Sequence, residues 1–357
     1  MMYLTVSIAC YNLESRIAEC VKSVIFQDYK DFEILVIDDH STDNSVEVVN
    51  NLITKYPEND IRLIVNDNNL GVSTVRNISI DEAHGDAIFF MDGDDTIEPG
   101  TLSMFHKRME ETGVEVVCGS FGKMDFDGNR FIIKQFPSDT IKGDFALATY
   151  IEKHSKGFFW LPIWNNLYRL DFLRAHNIRC ATHYKKHDSS LFTFKVALNA
   201  HSVSYIHDVT YNWFNIPTST TNGIKKDRFF FDVFRSVIES VIDAKNDFES
   251  CHNNKPLPDG LKFLSNYIIL TQGKLRLGLE SEVISKKEKK SFLKWLRSYY
   301  HKNNMNWSNI VGPFNRISYL ILISPFPYSL FRLYFRNLKG ISRMVDRYVY
   351  SRNGYRE

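Results

Sequence analysis

Cysteine motifs, targeting signals and long apolar runs are all scarce in this chain of 357 residues. The five cysteines form no Cys-x-x-Cys pair, which excludes the usual zinc and dithiol motifs, and we expect them to be reduced, as in a cytosolic protein. The N-terminus, MMYLTVSIAC, lacks a basic segment before its apolar residues and predicts a first strand rather than a signal peptide. The apolar run at 316–331 contains Pro325 and Pro327 and is shorter than the roughly 20 residues of a spanning helix, so we expect no transmembrane segment.

Positive charge is scarce around the carboxylates of the segment IFFMDGDD. Its four apolar residues predict a buried strand, and Asp92, Asp94 and Asp95 follow within four positions. Crowded carboxylates repel one another and raise one another's pKa. The nearest basic residues in the sequence are Arg76 and Lys107, so the segment lacks an obvious source of compensating charge.

The net charge of +2 conceals a strong asymmetry between the two parts of the chain. Residues 1–224 contain 20 Lys and Arg against 30 Asp and Glu, whereas residues 225–357 contain 24 against 12. An acidic first part and a basic second part indicate two regions with different roles, and the basic region favours an anionic partner.

The first hundred residues alternate between strand and helix patterns. Continuous apolar strands that alternate with helices are typical of an α/β protein with a mainly parallel sheet and helices on both faces. Further along, Asp127-Gly128 predicts a hairpin turn, and residues 228–357 have a mainly helical pattern. We expect strands at 4–9, 33–37, 61–65 and 87–91, and helices at 15–27, at 44–56 with Ser41 as its cap, and between Gly71 and Gly85.

Polar residues follow each of these four strands. Ligands of open parallel sheets bind outside the carboxyl ends of the strands, so the sequence predicts that these residues converge on one site. They are Cys10-Tyr11-Asn12, Asp38-Asp39, Asn66 to Asn69, and Asp92 to Asp95.

A divalent cation is the simplest explanation for the carboxylates after the fourth strand. Mg²⁺ and Mn²⁺ prefer oxygen ligands and often combine one or two carboxylates with phosphate oxygens. Asp92 and Asp94, separated by the small Gly93, are suited to present two carboxylates to one ion. The alternative is that the acids cap the helix that follows, and we expect Asp95 to do so.

The order of the motifs VSIACYN, FEILVIDDHSTDNS, NLGVSTVRN and GDAIFFMDGDD resembles the inverting family 2 glycosyltransferases, which have the GT-A fold. The resemblance extends over about residues 3–215. It implies a Rossmann-like, mixed, mainly parallel sheet, followed here by a mainly helical C-terminal region. The implied domains are a GT-A domain at 1–224, with a nucleotide-binding half to about residue 100 and an acceptor half at about 101–224, and a basic helical region at 225–357.

The resemblance implies a role for each motif residue on the donor side. Tyr11 is expected to pack against the base, which suits an aromatic face, and Asp39 to accept a hydrogen bond from it, consistent with uracil. Arg76 is expected to reach the diphosphate, where a guanidinium matches phosphate geometry. The remaining implied residues are Asn12 and Asp38 near the nucleotide, Asp92 near the ribose or the metal, and Asp94 as the main ligand of Mn²⁺ or Mg²⁺.

On the acceptor side, inverting transfer requires a general base near the attacking hydroxyl. In the resembling enzymes the base is the Asp of a Glu-Asp pair; this sequence has His187-Asp188 there, so Asp188 is the expected base and His187 the alternative. Asp188 is equally placed to cap the next helix. Trp164 and Asn165 are candidates for acceptor contacts, although large aromatics at such spacing are also typical of a core.

The basic region contains one strongly amphipathic pattern beyond Pro327. Basic and apolar residues there recur at helical spacing, two residues out of phase, and so lie on nearly opposite faces. We interpret this as a helix on an anionic membrane surface; a core helix with a basic outer face and a dimer seam are the alternatives. The basic stripe is Arg332, Arg336, Lys339, Arg343 and Arg347, and the apolar stripe Tyr334, Leu338, Ile341, Val345 and Tyr348.

The sequence therefore predicts an enzyme that moves a sugar from a nucleoside-diphosphate donor, UDP before dTDP or GDP, to a hydroxyl of a glycan or lipid-linked acceptor. The resemblance implies bacterial capsule or polysaccharide biosynthesis. The basic amphipathic pattern predicts a cytoplasmic protein that is peripheral on the inner face of the cell membrane. A non-catalytic nucleotide-sugar-binding or scaffold protein is the alternative. A nucleotidyltransferase is disfavoured because CYNLES has no glycine or lysine, and no motif for nucleic acid accompanies the basic region.

Overall fold

The computed structural model describes residues 2–124, 130–154, 162–182, 189–214, 244, 248–249 and 285–302. The chain divides into two compact units. The described residues up to 249 belong to the first unit, and 285–302 belong to the second.

The first unit begins with the alternation that the sequence predicts. The apolar segments are strands because their continuous Ile, Val, Leu and Phe residues are buried on both faces, as in β2, where all seven residues are buried. The elements are β1 Leu4–Cys10, α1 Ile17–Ile25, β2 Phe32–Asp38, α2 Ser45–Lys55, β3 Asp60–Val65, α3 Val72–Glu82 and β4 Ala87–Asp92.

The remaining elements of the first unit are more irregular in length. Strands β6 and β7 pair antiparallel, as the predicted hairpin requires, and the turn between them lies outside the described residues. The elements are β5 Thr96–Ile97, α4 Thr101–Thr112, β6 Val116–Met124, β7 Arg130–Lys134, β8 Thr140–Lys142, α5 Ala146–His154, β9 Asn166–Arg169, α6 Leu170–Ala175, α7 Ser189–Asn199 and β10 Ser202–Phe214.

The described strands form one mixed sheet in the order β3-β2-β1-β4-β9-β6-β10-β5, and outside this order β7 pairs with β6 and β8 pairs with β10. Strands β3, β2, β1 and β4 are mutually parallel, and β10 runs parallel to β6. Strand β9 lies antiparallel between β4 and β6. The predicted mixed, mainly parallel α/β sheet is therefore confirmed.

Helices cover both faces of the sheet. Neighbouring residues of a strand point to opposite faces, so a strand of continuous apolar residues has apolar side chains to bury on each side. Ile34 and Val36 of β2 belong to the main core together with buried residues of α1, α2 and α4. Leu35 and Ile37 of the same strand pack on the other side with Val75 of α3. Strand β2 is thus buried by helices on both faces.

Two predicted helix ends differ in the structure. Helix α2 is preceded by Asn44 rather than by Ser41, whose hydroxyl donates to Asp38 instead. Helix α3 ends at Glu82 with Ala83 as its C-cap, and not at Gly85. A Cβ at Gly85 would lie 2.6 Å from the backbone nitrogen of Thr5, so this glycine is required by close approach to β1 and not as a helix cap.

The described part of the second unit is one basic helix, α8, at Lys286–Lys302. A capping box holds its start, because Ser285 Oγ accepts from the Glu288 backbone and the Glu288 carboxylate accepts from the Ser285 backbone. The amphipathic pattern at 332–348 lies outside the described residues. No helix among the described residues is both long and apolar enough to cross a membrane. The boundary at 224 remains a prediction.

Candidate active site

The polar segments predicted to converge do meet at the carboxyl ends of β1, β2, β3 and β4. Backbone hydrogen bonds join them directly: Asp39 N donates to Cys10 O at 2.8 Å, and Asn66 N donates to Asp38 O at 2.9 Å. Gly93 N donates to Ala9 O at 2.9 Å. One edge of the sheet therefore carries all four predicted segments.

Side chains of the first two segments hold the loops after β1 and β2 to each other. Asn12, in the left-handed region at φ 53°, accepts a 2.8 Å hydrogen bond from the Thr42 backbone through Oδ1, and its own backbone donates to Ser41 Oγ at 2.9 Å. Asp38, 1% exposed, accepts from the backbone and hydroxyl of Ser41. The structure thus uses Asn12 and Asp38 to build the loops.

Tyr11 differs from its neighbours because its side chain is 46% exposed. It lies on the loop that Asn12 fixes, directly after β1. An exposed aromatic ring on a fixed loop is available to stack against a planar ligand.

Asp39 is buried and carries much of the third segment. Its Oδ1 accepts from Asn66 Nδ2 at 3.0 Å and from the Leu70 backbone at 2.8 Å, and its Oδ2 accepts from the Gly71 backbone at 2.7 Å. A carboxylate offers about four acceptor positions, so one position on Oδ2 remains when the donors among the described residues are counted. Asp39 also fixes the start of α3, because Gly71 directly precedes that helix.

Arg76, which α3 carries, contacts the turn at residues 92–95, hereafter the acid turn. Its Nη2 donates to Asp92 Oδ1 at 2.8 Å, and its side chain is only 8% exposed. The nearest basic residue that precedes the acid turn in the sequence is therefore a source of positive charge for Asp92.

Asp94 lies at the centre of the acid turn. Burial, followed by the charge of Asp92, raises the pKa of Asp94 to about 7. The guanidinium of Arg16 opposes this shift, and it donates to the Asp94 backbone oxygen at 3.2 and 3.3 Å. A Cβ at Gly93 would lie 2.7 Å from Ala9 O, so only glycine fits between the two acids without displacement.

Asp95 has a different role from the expected helix cap. Its Oδ2 accepts from the Tyr211 hydroxyl and its Oδ1 from the Phe214 backbone, both at 2.8 Å. Helix α4 is preceded instead by Gly100 in the left-handed conformation. The cap prediction is wrong because α4 begins only at Thr101, too far along the chain for Asp95 to cap it, and Asp95 accepts from β10 instead. Burial, followed by the charges of Asp94 and Asp92, raises the pKa of Asp95 well above its usual range.

The acid turn has a composition that fits a divalent cation. One carboxylate oxygen from each of Asp92, Asp94 and Asp95 lies within 4.8 Å of the others, which approaches the spacing of about 4 Å that two ligands of one Mg²⁺ ion reach. Asp92 and Asp94 are partly exposed, whereas both oxygens of the buried Asp95 are already hydrogen-bonded. Asp92 and Asp94 are therefore the better candidate ligands.

The sequence that forms this site matches the model of a known protein family. The Glycosyl transferase family 2 model matches residues 5–188, which include all four strand ends. This chain belongs to Glycosyl transferase family 2. The predicted family, and with it the prediction of a glycosyltransferase, is confirmed at this level.

Named proteins and solved structures agree with this membership. A cholesterol galactosyltransferase of Borreliella burgdorferi is 25% identical over 260 residues, 70% of each chain. EpsH of Bacillus subtilis, named as a putative glycosyltransferase, is 30% identical over 212 residues, which cover 58% of this chain and 59% of EpsH. The chain thus spans less than two thirds of the length of some relatives.

The fold has a solved counterpart in a fragment of Staphylococcus aureus TarS in complex with UDP-GlcNAc. The TM-score is 0.65 at 20% identity, over 90% of this chain and 86% of that one. This similarity confirms the GT-A fold that the sequence predicts.

Of the four acceptor-side residues expected from the sequence, the structure describes only Trp164 and Asn165. His187 and Asp188 lie outside the described residues, so the general base remains a prediction. Trp164 is 6% exposed and stacks on Tyr211, with 4.6 Å between ring centroids and 13° between planes. Asn165 is 1% exposed and donates to Ser120 O at 3.0 Å while it accepts from Thr210 at 2.8 Å. These contacts favour a structural role for both, and their acceptor role stays a prediction.

Sequence reasoning missed two residues that contact the acid turn of the candidate site, Arg16 and Tyr211. Arg16 begins the first helical segment and gives no sign that its guanidinium turns toward Asp94. Tyr211 looks like an ordinary aromatic residue of a strand. Its position beside the acid turn follows from the antiparallel pairing of β10 with β5, which directly follows that turn.

Proposed function

We propose that this chain transfers a sugar with inversion from a UDP-sugar to a hydroxyl of a glycan or lipid-linked saccharide. The proposal depends on three groups that lie together at one edge of the sheet. They are an exposed aromatic ring, a buried carboxylate with one acceptor position left among its described contacts, and an arginine that is paired with an acid of the acid turn. These are Tyr11, Asp39, and Arg76 with Asp92 and Asp94.

Each group matches one part of a nucleoside-diphosphate donor. The ring of Tyr11 is suited to stack on the base, and Asp39 Oδ2 to accept from the N3–H of uracil. Arg76 would contact the diphosphate through its guanidinium, since Arg and phosphate match in geometry. Asn12 and Asp38 support the nucleotide loops.

Asp94 and Asp92 would hold Mn²⁺ or Mg²⁺. When bound, the ion supplies positive charge to the diphosphate, which an acidic edge would otherwise repel. The remaining chemistry is an in-line displacement. The acceptor oxygen bonds to the anomeric carbon, the bond from that carbon to the diphosphate oxygen breaks, and the hydroxyl proton passes to Asp188 as general base. His187 is the alternative base.

Thermal unfolding with UDP, GDP, CDP and dTDP, each with and without Mn²⁺, tests the donor site. A ligand that binds only the folded state raises the unfolding midpoint. We expect UDP with Mn²⁺ to raise it in the wild type but not in Asp94→Ala. Glu111→Ala removes an exposed carboxylate from α4 and should respond like the wild type. If no nucleotide shifts the midpoint at millimolar concentration, the proposal fails.

We also propose that the basic C-terminal region attaches the enzyme to an anionic membrane surface, in a bacterial capsule or polysaccharide pathway. Lys286, Lys287, Lys290 and Lys294 of α8 are exposed, and each Lys or Arg near an anionic surface contributes about 1 kcal/mol. Flotation with phosphatidylglycerol and with phosphatidylcholine vesicles tests this. Salt-sensitive binding to the anionic vesicles, lost when Arg336, Lys339 and Arg343 become Glu, is expected; equal binding to both vesicles contradicts it.

A further inference from the structure

The C-terminal end of β10 contacts the acid turn through Tyr211 and Phe214. Tyr211 has a fully buried side chain, and its hydroxyl makes two hydrogen bonds to the turn. It donates to Asp95 Oδ2 at 2.8 Å and accepts from the Asp92 backbone nitrogen at 3.2 Å. A single hydroxyl therefore ties the first and last acids of the turn together.

The position of that hydroxyl is fixed by aromatic packing. The Tyr211 ring stacks on Trp164, and the Trp164 ring meets Phe121 edge-on, with centroids 4.9 Å apart. Trp164 and Phe121 belong to the main core. Because close-packed cores resist displacement, the hydroxyl has little freedom to move away from the turn.

Phe214, three residues further along β10, makes two more connections to the turn. Its backbone nitrogen donates to Asp95 Oδ1 at 2.8 Å. Its ring lies under the guanidinium of Arg16, 4.1 Å from the centroid, and Arg16 donates to the Asp94 backbone oxygen. All three acids are thus fixed, directly or through Arg16, by the end of β10.

We propose that Tyr211 and Asp95 are positioning residues for the metal-binding pair, and that Asp95 is not itself a ligand. Asp95 contributes a buried carboxylate that accepts from Tyr211 and Phe214, while Asp92 and Asp94 are partly exposed and would hold the ion. This proposal rests on the metal site of the proposed function. It assigns the third acid of the motif to strand β10 rather than to the cation.

Binding of Mn²⁺ alone, measured by the paramagnetic resonance signal of the free ion, tests the assignment on the full chain. Tyr211→Phe keeps the ring and removes the two hydrogen bonds, so we expect an increase of about five- to tenfold in the Mn²⁺ dissociation constant. Tyr205→Phe is the matched control. Tyr205 is a fully buried tyrosine of the same strand that packs on Tyr150, away from the turn, and its loss of a hydroxyl should leave Mn²⁺ binding unchanged.

A double-mutant cycle separates positioning from coordination. If Asp95 acts through Tyr211, then Asp95→Asn and Tyr211→Phe combined should weaken Mn²⁺ binding by less than the product of their separate effects. If Asp95 is a ligand, Asp95→Asn alone should abolish binding as Asp94→Asn does, and the assignment is overturned. Equal losses in Tyr205→Phe and Tyr211→Phe, or no loss in Tyr211→Phe, also overturn it.

The same titrations repeated with UDP distinguish this proposal from the donor assignment. A wild type that binds Mn²⁺ but shows no response to UDP contradicts the proposed donor and leaves the positioning role supported by the variants. A wild type that binds no Mn²⁺ overturns the positioning role.

Discussion

Arg76 Nη2 lies 2.8 Å from Asp92 Oδ1, so a side chain of α3 contacts the last residue of β4 within the candidate site. The pair joins the residue expected to reach the diphosphate with one expected to hold the metal. Because Arg76 is almost fully buried, its guanidinium has little freedom to find another orientation. The geometry of donor binding should therefore depend on the shape of this group as well as on its charge.

Arg76→Lys should weaken UDP binding by about tenfold or more, because an ammonium keeps the charge but loses the planar fork that matches both a carboxylate and a phosphate. Isothermal titration of UDP in the presence of Mn²⁺ measures the change. Arg108→Lys is the control, since Arg108 lies on α4 and its Nη2 donates to the Ser138 hydroxyl, outside the site. Equal UDP affinity in Arg76→Lys and the wild type would exclude a bidentate role for Arg76.

Tyr11→Ala should weaken UDP binding by about tenfold and leave the unfolding midpoint of the free protein nearly unchanged. Stacking between a base and an aromatic ring contributes about 1–3 kcal/mol, and the ring is already half exposed. Tyr11→Phe keeps the face and should bind UDP like the wild type. Phe26→Ala, which removes an aromatic side chain that is 65% exposed, serves as a control for nonspecific effects.

The convergence of the strand ends could be predicted from the sequence because it depends on local patterns. Continuous apolar strands alternating with helices determine a parallel sheet, and a parallel sheet brings the residues after each strand to one edge. The residues that follow the four strands needed no other information to be placed together. The same reasoning located Asp92 and Asp94.

Which side chains at that edge face a ligand could not be predicted in this way. Asn12 turns to Thr42 because the loops after β1 and β2 are adjacent, and the adjacency of two loops is set by strand order rather than by local pattern. Asp38 is held locally by Ser41, three residues later, and the sequence gives no sign of which of its possible partners it chooses. Asp95 is a stronger example, since its partner Tyr211 lies 116 positions away in the chain. Buried carboxylates must find hydrogen bonds wherever the fold supplies them.

Gly93→Ala should both destabilise the protein and weaken Mn²⁺ binding. The new Cβ would meet Ala9 O at 2.7 Å and Leu13 Cδ1 at 2.9 Å, so the acid turn must move, at a cost of about 1–3 kcal/mol. Gly113→Ala is the matched comparison, because its Cβ meets no atom within 4 Å but its φ of 65° disfavours alanine. Both variants should unfold at lower temperature, and only Gly93→Ala should bind Mn²⁺ less tightly.

Glu33 should contribute a pH-dependent part of the stability. Burial alone would raise its pKa, but hydrogen bonds from Thr5, the His84 backbone and Arg62 outweigh burial and lower the pKa below its usual value of 4.5. A lowered pKa stabilises the folded state above the ordinary value, and this contribution is lost as the pH falls through the lowered one. The free energy of unfolding of Glu33→Gln should therefore be about 2 kcal/mol lower than that of the wild type at pH 7.

The difference in unfolding free energy between the wild type and Glu33→Gln should narrow as the pH falls below about 4.5, where Glu33 of the unfolded chain becomes protonated while the folded carboxylate is still charged. It should vanish once the pH has fallen through the lowered pKa of the folded state. Urea unfolding at a series of pH values measures it. Glu111→Gln, at an exposed position on α4, should show almost no difference at any pH. If the difference in unfolding free energy between the wild type and Glu33→Gln stays constant down to pH 3, the charge of Glu33 does not contribute to stability.

Asp39 offers a direct test of base recognition, because three of its four acceptor positions are already occupied by Asn66, Leu70 and Gly71. If the remaining position accepts from the N3–H of uracil, 3-methyl-UDP should bind at least about tenfold more weakly than UDP, since the methyl group removes the donor and leaves the carboxylate unpaired. The 5-methyl group of dTDP does not touch N3–H, so dTDP should lose no affinity from this contact. Equal binding of UDP and 3-methyl-UDP would assign Asp39 to the support of the loop before α3, and base selection would then rest on Tyr11 and its neighbours.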